Sequence, residues 1–127
     1  MNQAKIKIQL SIHILFSIFI VILLTSLATA DIITSGDISP PYLGGDPWNI
    51  TGDLRVGNTT NGSMEINDGS EVTDSNGFIG YSPTSSGIVT VTGQNSLWDN
   101  SGILHVGFFG DGEMVVSDGG HVTNAYS

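Results

Sequence analysis

Asp68 and Asp118 invite a chemical reading first, because each precedes a glycine and fifty residues separate them. Two carboxyl groups about 5 to 9.5 Å apart, one with a raised pKa, can hydrolyse a glycosidic bond. A lyase acting on an anionic sugar needs a strong base beside positive charge, and after residue 30 the only lysine or arginine is Arg55. Its counterpart fifty residues on is His105. His105 and His121 stand sixteen residues apart, without the tight spacing of a zinc site, and read as surface histidines. Gly107-Phe108-Phe109-Gly110-Asp111-Gly112 shares part of the Gly-Gly-x-Gly-x-Asp calcium nonapeptide, but lacks the leading glycine pair and a second copy nine residues later. Asn58-Thr59-Thr60 and Asn61-Gly62-Ser63 match the glycosylation sequon. These patterns assign no catalytic, cofactor-binding or metal-ligating residue, so the expectation is a chain without enzyme activity or cofactor.

The elements that would position such residues come from a repeat. Sliding the chain by fifty residues, without a gap, places Trp48 on Trp98, Gly52 on Gly102, Leu54 on Leu104 and Val56-Gly57 on Val106-Gly107. The same shift places Gly62 on Gly112, Met64 on Met114, Asp68-Gly69 on Asp118-Gly119 and Val72-Thr73 on Val122-Thr123. Over Trp48 to Gly77 against Trp98 to Ser127, 11 of 30 positions are identical. A fainter echo sets Gly62-x-Met64-Glu65-Ile66 on Gly87-x-Val89-Thr90-Val91, Val72 on Leu97, and Val56-Gly57 on Ile79-Gly80. Each half-unit, about 25 residues, therefore reads as one coil of a solenoid.

Inside each coil the apolar residues alternate. Period two predicts strands with Leu54, Val56, Met64, Ile66, Val89 and Val91 on one face and Arg55, Glu65 and Thr90 on the other. Between them lie Asn, Asp, Ser, Pro and Gly clusters suited to turns, and no helical periodicity follows residue 31. The predicted fold is all-β, a right-handed parallel β-helix of about three coils; an antiparallel sandwich or barrel is the alternative. In the solenoid, Asp68 and Asp118 fall two coils apart, about 10 Å along the axis and beyond the glycosidase range. Turn geometry alone accounts for both Asp-Gly pairs. Trp48 and Trp98 open equivalent phases, which favours coil packing over sugar binding. Phe78 and Tyr81 flank Ile79-Gly80 and are expected to cover a coil edge. Phe108-Phe109 replace Asn58-Thr59 and form either an adhesive patch or a filler beside a turn.

The chain also divides along its length. Residues 1–30 carry Lys5 and Lys7, an apolar run from Ile14 to Leu24 and Ala28-Thr29-Ala30, the build of a helical signal peptide cleaved before Asp31; an uncleaved anchor is the rival. Residues 31–47, with Pro40-Pro41, Gly44-Gly45 and Pro47, form an extended leader that covers the first coil or stays loose. The repeat region is 48–127, with unit 1 at 48–97 and an incomplete unit 2 at 98–127. Of the 127 residues none is cysteine, which excludes disulfide staples, thiol catalysis and Cys-ligated metal. All 12 acidic residues follow residue 30 against Arg55 alone, a net of −11 that argues against nucleic acid as a partner.

The series Trp48-x3-Gly52-x-Leu54-x-Val56-Gly57, Gly62-x-Met64-x-Ile66-x-Asp68-Gly69-x2-Val72, Ile79-Gly80, and above all Val89-Thr90-Val91-Thr92-Gly93-Gln94-Asn95-Ser96-Leu97-Trp98, carries a family likeness. It resembles the repeat of type V secretion (autotransporter) proteins and of bacterial proteins with a PEP-CTERM sorting tail, from about Trp48 to Val122. The resemblance implies a β-helical passenger region, engaged by the Sec export machinery through its signal peptide. It further implies display at the outer membrane or release from a Gram-negative cell, with a periplasmic location for a truncated chain. An adhesin-like surface would meet a host surface or polysaccharide. Family members carry more repeats and then a barrel or anchor, so an N-terminal fragment is expected. The alternatives are a fragment of a carbohydrate-active β-helix enzyme or a truncated product without function. Three coils with no capping helix predict edge-to-edge self-association and marginal stability of the exported part.

Overall fold

The computed structural model describes residues 29–126. The signal-peptide expectation therefore lies almost wholly outside the described residues. Eleven strands and no helix make up the described chain: β1 (Asp31–Gly36), β2 (Ile38–Ser39), β3 (Trp48–Asn49), β4 (Asp53–Val56), β5 (Gly62–Asn67) and β6 (Glu71–Asp74), then β7 (Asn76–Ile79), β8 (Ser86–Thr92), β9 (Leu97–Val106), β10 (Asp111–Ser117) and β11 (His121–Tyr126).

They wind into a β-solenoid of about three turns with three faces. Face A stacks β1-β5-β8-β10, face B stacks β2-β4-β7 and the second half of β9, and face C stacks β3-β6, the first half of β9, and β11. From β3 onward every pairing is parallel. The sandwich alternative, which needs antiparallel neighbours, is thereby excluded for the repeat region.

Alternation in the strands becomes an inside and an outside. Leu54, Val56, Met64, Ile66, Val72, Ile79, Val89, Val91 and Trp98 are buried and stack in rows, while Arg55, Glu65 and Thr90 lie on the outer side. Each fully buried aliphatic side chain contributes about 1.5–3 kcal/mol of transfer free energy. One position breaks the row: Gly77 stands in register between Leu54 and Leu104. A Cβ at Gly77 would overlap the Asn100 side-chain oxygen and approach the Trp98 ring to 2.8 Å, so the missing side chain makes room for the indole.

Register explains why the repeat is gap-free at fifty residues and faint at half that. Successive partners are 23 and then 27 residues apart on face B (Leu54, Gly77, Leu104), 25 and 25 on face A (Gly62, Gly87, Gly112), and 26 and 24 on face C (Val72, Trp98, Val122). Corners differ in length from one coil to the next, and the differences cancel over two coils. This corrects one expected pairing. Val72 sits on Trp98 rather than Leu97, because the corner before β9 has four residues (93–96) where the corner before β6 has three (68–70).

The leader takes the covering role. β1 pairs antiparallel with β5, and β2 antiparallel with β4, closing the first coil on two faces. Ile32 of β1 is buried in the core, and Tyr42 packs its ring 5.0 Å from that of Trp48. The end needs no helix, because reversed strands both satisfy the edge and stop the stack. At the other end, among the described residues, no strand pairs the outer edges of β10, β11 or β9 beyond Ile103. There Val106 and Val116, in register with buried Ile79 and Val91, are each 45% exposed.

Candidate functional site

The outer side of face B carries the densest side-chain cluster. Arg55, Phe78 and His105 are register partners on successive coils, so parallel stacking places their side chains in one row. The Phe78 and His105 rings lie 5.4 Å apart and nearly parallel. Tyr81 and Phe108, in the loops that follow the two strands, stack at 5.5 Å. The Arg55 guanidinium sits 4.6 Å from the Tyr81 ring centre and 5.7 Å from that of Phe78, and it pairs with Asp53 at 2.8 Å. A cation held against two ring faces and one carboxylate is oriented, although at this exposure the cation–π term is worth only about 0.5–1 kcal/mol.

Phe108 lies 4.8 Å from His105 and 5.1 Å from Phe78, filling the cluster, whereas Phe109 is 65% exposed. Of the pair, Phe108 thus takes the filling role and Phe109 stands out from the turn. Phe78 lies mid-row between Arg55 and His105, and Tyr81 packs beside it against Arg55 and Phe108. Chemically the cluster offers ring faces and one positive charge on an otherwise acidic surface.

The carboxylates singled out by spacing do not converge. Asp68 and Asp118 occupy turns after β5 and β10 with positive φ of 50° and 51°, each followed by a glycine with positive φ. Left-handed Asp-Gly corners of this kind are turn chemistry. Asp118 accepts a bond from the Thr92 hydroxyl at 3.3 Å. The rows of face A put them two coils, about 10 Å, apart. In the Gly107–Gly112 segment, the amides of Phe109 and Gly110 both donate to the Gly80 carbonyl, and the Asp111 amide to that of Ser85. Its backbone is spent on the coil beneath. His105 belongs to the aromatic row and His121 is exposed at the start of β11. Among the described residues no three His, Asp or Glu side chains gather in a metal-holding group. A shallow open depression of about 210 Å³, lined by Ser35, Asn61, Ser63, Ser86 and Ile88, holds no titratable group.

No protein-family model matches the chain, and neither does a curated protein or a solved structure.

Two other carboxylates matter more than their sequence context suggests. Asp37, between β1 and β2, accepts bonds through Oδ2 from the Thr59 hydroxyl (2.7 Å), the Thr59 amide (2.7 Å) and the Thr60 amide (3.0 Å). Those donors, the Thr59 side chain foremost, hold its carboxyl below the usual range. The clamp is intact above the ordinary carboxylate pKa and is lost as pH falls through the lowered one. Asp37→Ala should speed amide exchange in Ile32–Gly36 at least tenfold while leaving β8 amides unchanged. Equal protection of both strands in the variant would show that the clamp does not secure the leader.

Asp74, the last residue of β6, is 5% exposed and points into the core beside Trp98. Burial, opposed by a bond from Trp98 Nε1 and reinforced by the charges of Asp53 and Asp99, pushes its carboxyl up to about 7. Thr73-Asp74-Ser75-Asn76-Gly77 reads in sequence as a polar turn, which is why this residue escaped notice. Only its in-register neighbours show that the corner is one residue wide and that Asp74 faces inward.

Proposed function

We propose that the chain is an exported, non-enzymatic structural segment, a passenger-type repeat of autotransporter kind that serves as stalk or adhesin surface outside the cell. The observation that carries this reading is the third coil. Leu104, Val106, Met114, Val116 and Val122 repeat the inward rows of the coils below, yet they are half-buried or exposed. A stack built this way is extensible in one direction and closed in the other by its leader, the geometry of a stalk. We read the winding as right-handed, the hand that parallel strand crossovers almost always take. The aromatic row on face B, with Phe109 outermost, supplies the adhesive surface, and a host surface or polysaccharide is its partner. Export through the Sec machinery rests on the three-part build of residues 1–30.

N-terminal sequencing and protease shaving of intact cells that express the gene test the proposal together. The mature chain should begin at or near Asp31 and disappear when protease is added outside. A chain that retains Met1 and resists shaving until the cells are lysed would overturn it.

A further inference from the structure

At the sharp corner between faces C and B one row runs through Ile50, Asp74, Asn100 and Asn124, buried at its two middle members and exposed at Asn124. Asp74 and Asn100 are direct register partners, 5% and 1% exposed. Their remaining bonds fix how each is turned. Trp98 Nε1 donates to Asp74 Oδ2 at 3.1 Å, and Asn100 Nδ2 donates to the Thr123 carbonyl at 3.2 Å. The Asn100 amide cannot be reversed without setting its oxygen against that carbonyl.

Two acceptors are thereby left with no partner, Asp74 Oδ1 and Asn100 Oδ1, both fully buried. Two orphaned oxygens on adjacent coils are costly as they stand. A single proton held between them would satisfy both.

We propose that Asp74 is held as the neutral acid, its Oδ1 hydroxyl donating to the Asn100 side-chain oxygen across the coil boundary, and that losing this proton to solvent loosens the stack, so the solenoid is a fold favoured by acid. The surroundings are consistent with a neutral group. The charged neighbours are Asp53 on β4 and Asp99 on β9, both of the wrong sign to hold a carboxylate. Arg55 is engaged with Asp53. The coil below contributes apolar Ile50, β7 contributes Asn76 and Gly77, and β9 contributes Asn100, none of them charged. The raised carboxyl pKa agrees in direction. Because it lies above the unfolded value, the stabilisation is complete below the ordinary aspartate range and fades as pH rises toward 7.

The test is a carbon-13 titration of the side-chain carboxyls of the purified chain, paired with denaturant unfolding from pH 4.5 to 8.5. The Asp74 carboxyl should titrate at about 7, and the Asn100 side-chain amide signals should shift with the same midpoint. Across that window the unfolding constant of the wild type should rise relative to Asp74→Asn by up to about tenfold per pH unit. The amide of the variant supplies an N–H at every pH, so the variant should be the more stable above pH 7. Titration of Asp74 in the ordinary carboxylate range, or an Asn100 signal indifferent to pH, would overturn the proposal. So would an Asp74→Asn variant that keeps the wild-type pH dependence. Should that variant not fold, the wild-type titration decides alone.

Discussion

Trp98→Ala should lose about 3–5 kcal/mol, a large share of the stability of a chain of this size. Trp98 is the largest fully buried side chain, and its ring occupies the room left by Gly77. Its removal opens a cavity flanked by the inward side chain of Asp74, which then keeps neither its Nε1 donor nor its cover. Trp98→Phe separates the two losses. Most of the packing survives, the donor does not, and about 1–3 kcal/mol should go. Trp48→Ala removes the repeat-equivalent residue from a half-buried place beneath the leader and should cost less than either Trp98→Ala or a full core truncation. Urea unfolding followed by far-ultraviolet circular dichroism ranks the three. A Trp98→Ala variant within 1 kcal/mol of wild type would mean that the coils do not pack through this residue.

Gly87→Ala should be about as damaging, through a single methyl group. Gly62, Gly87 and Gly112 form one row where face B turns into face A. A Cβ at Gly87 would overlap the Val56 carbonyl oxygen and come within 2.6 Å of the Gly80 amide nitrogen. Those two atoms share the 2.9 Å hydrogen bond that ties the first coil to the second. Backbone cannot yield as the tip of a flexible side chain can, so the cost should exceed about 3 kcal/mol. Gly52→Ala is the contrast, since nothing lies within 4 Å of its Cβ position and its φ is unexceptional. It should shift stability by no more than about 0.5 kcal/mol. Thermal melts of the two variants side by side measure this, and equal midpoints would refute the close-approach argument.

Much of the fold could be read from the chain because a solenoid writes its third dimension into its period. The inward residues Leu54, Val56, Met64, Ile66, Val89 and Val91 followed from alternation alone, and all are buried. The pairings of Val56 with Ile79 and of Gly62 with Gly87 followed from the faint half-period echo. Pairing failed to follow where a corner gains a residue, as between Thr92 and Leu97, because an apolar residue stands at both candidate positions and alternation accepts either. The leader was legible as extended but not as antiparallel, since a two-residue strand such as Ile38–Ser39 takes its direction from the coil it covers. Within the aromatic cluster, Phe78 and Tyr81 were recognisable by their neighbours. Their relation to Arg55 and His105 needed the 23- and 27-residue register of face B. Asp74 was illegible for a deeper reason: a polar residue among polar turn formers carries no local mark of burial.

The alternating corner lengths also govern how such a chain can grow. Trp98 fills the vacancy that Gly77 leaves in the coil before it, so these two neighbours fit as knob and hole. Excising one coil would set knob on knob, with corners of mismatched length around it. Excising or copying two preserves every fit. The length step that keeps every register is then a pair of coils, about 9.6 Å of axis.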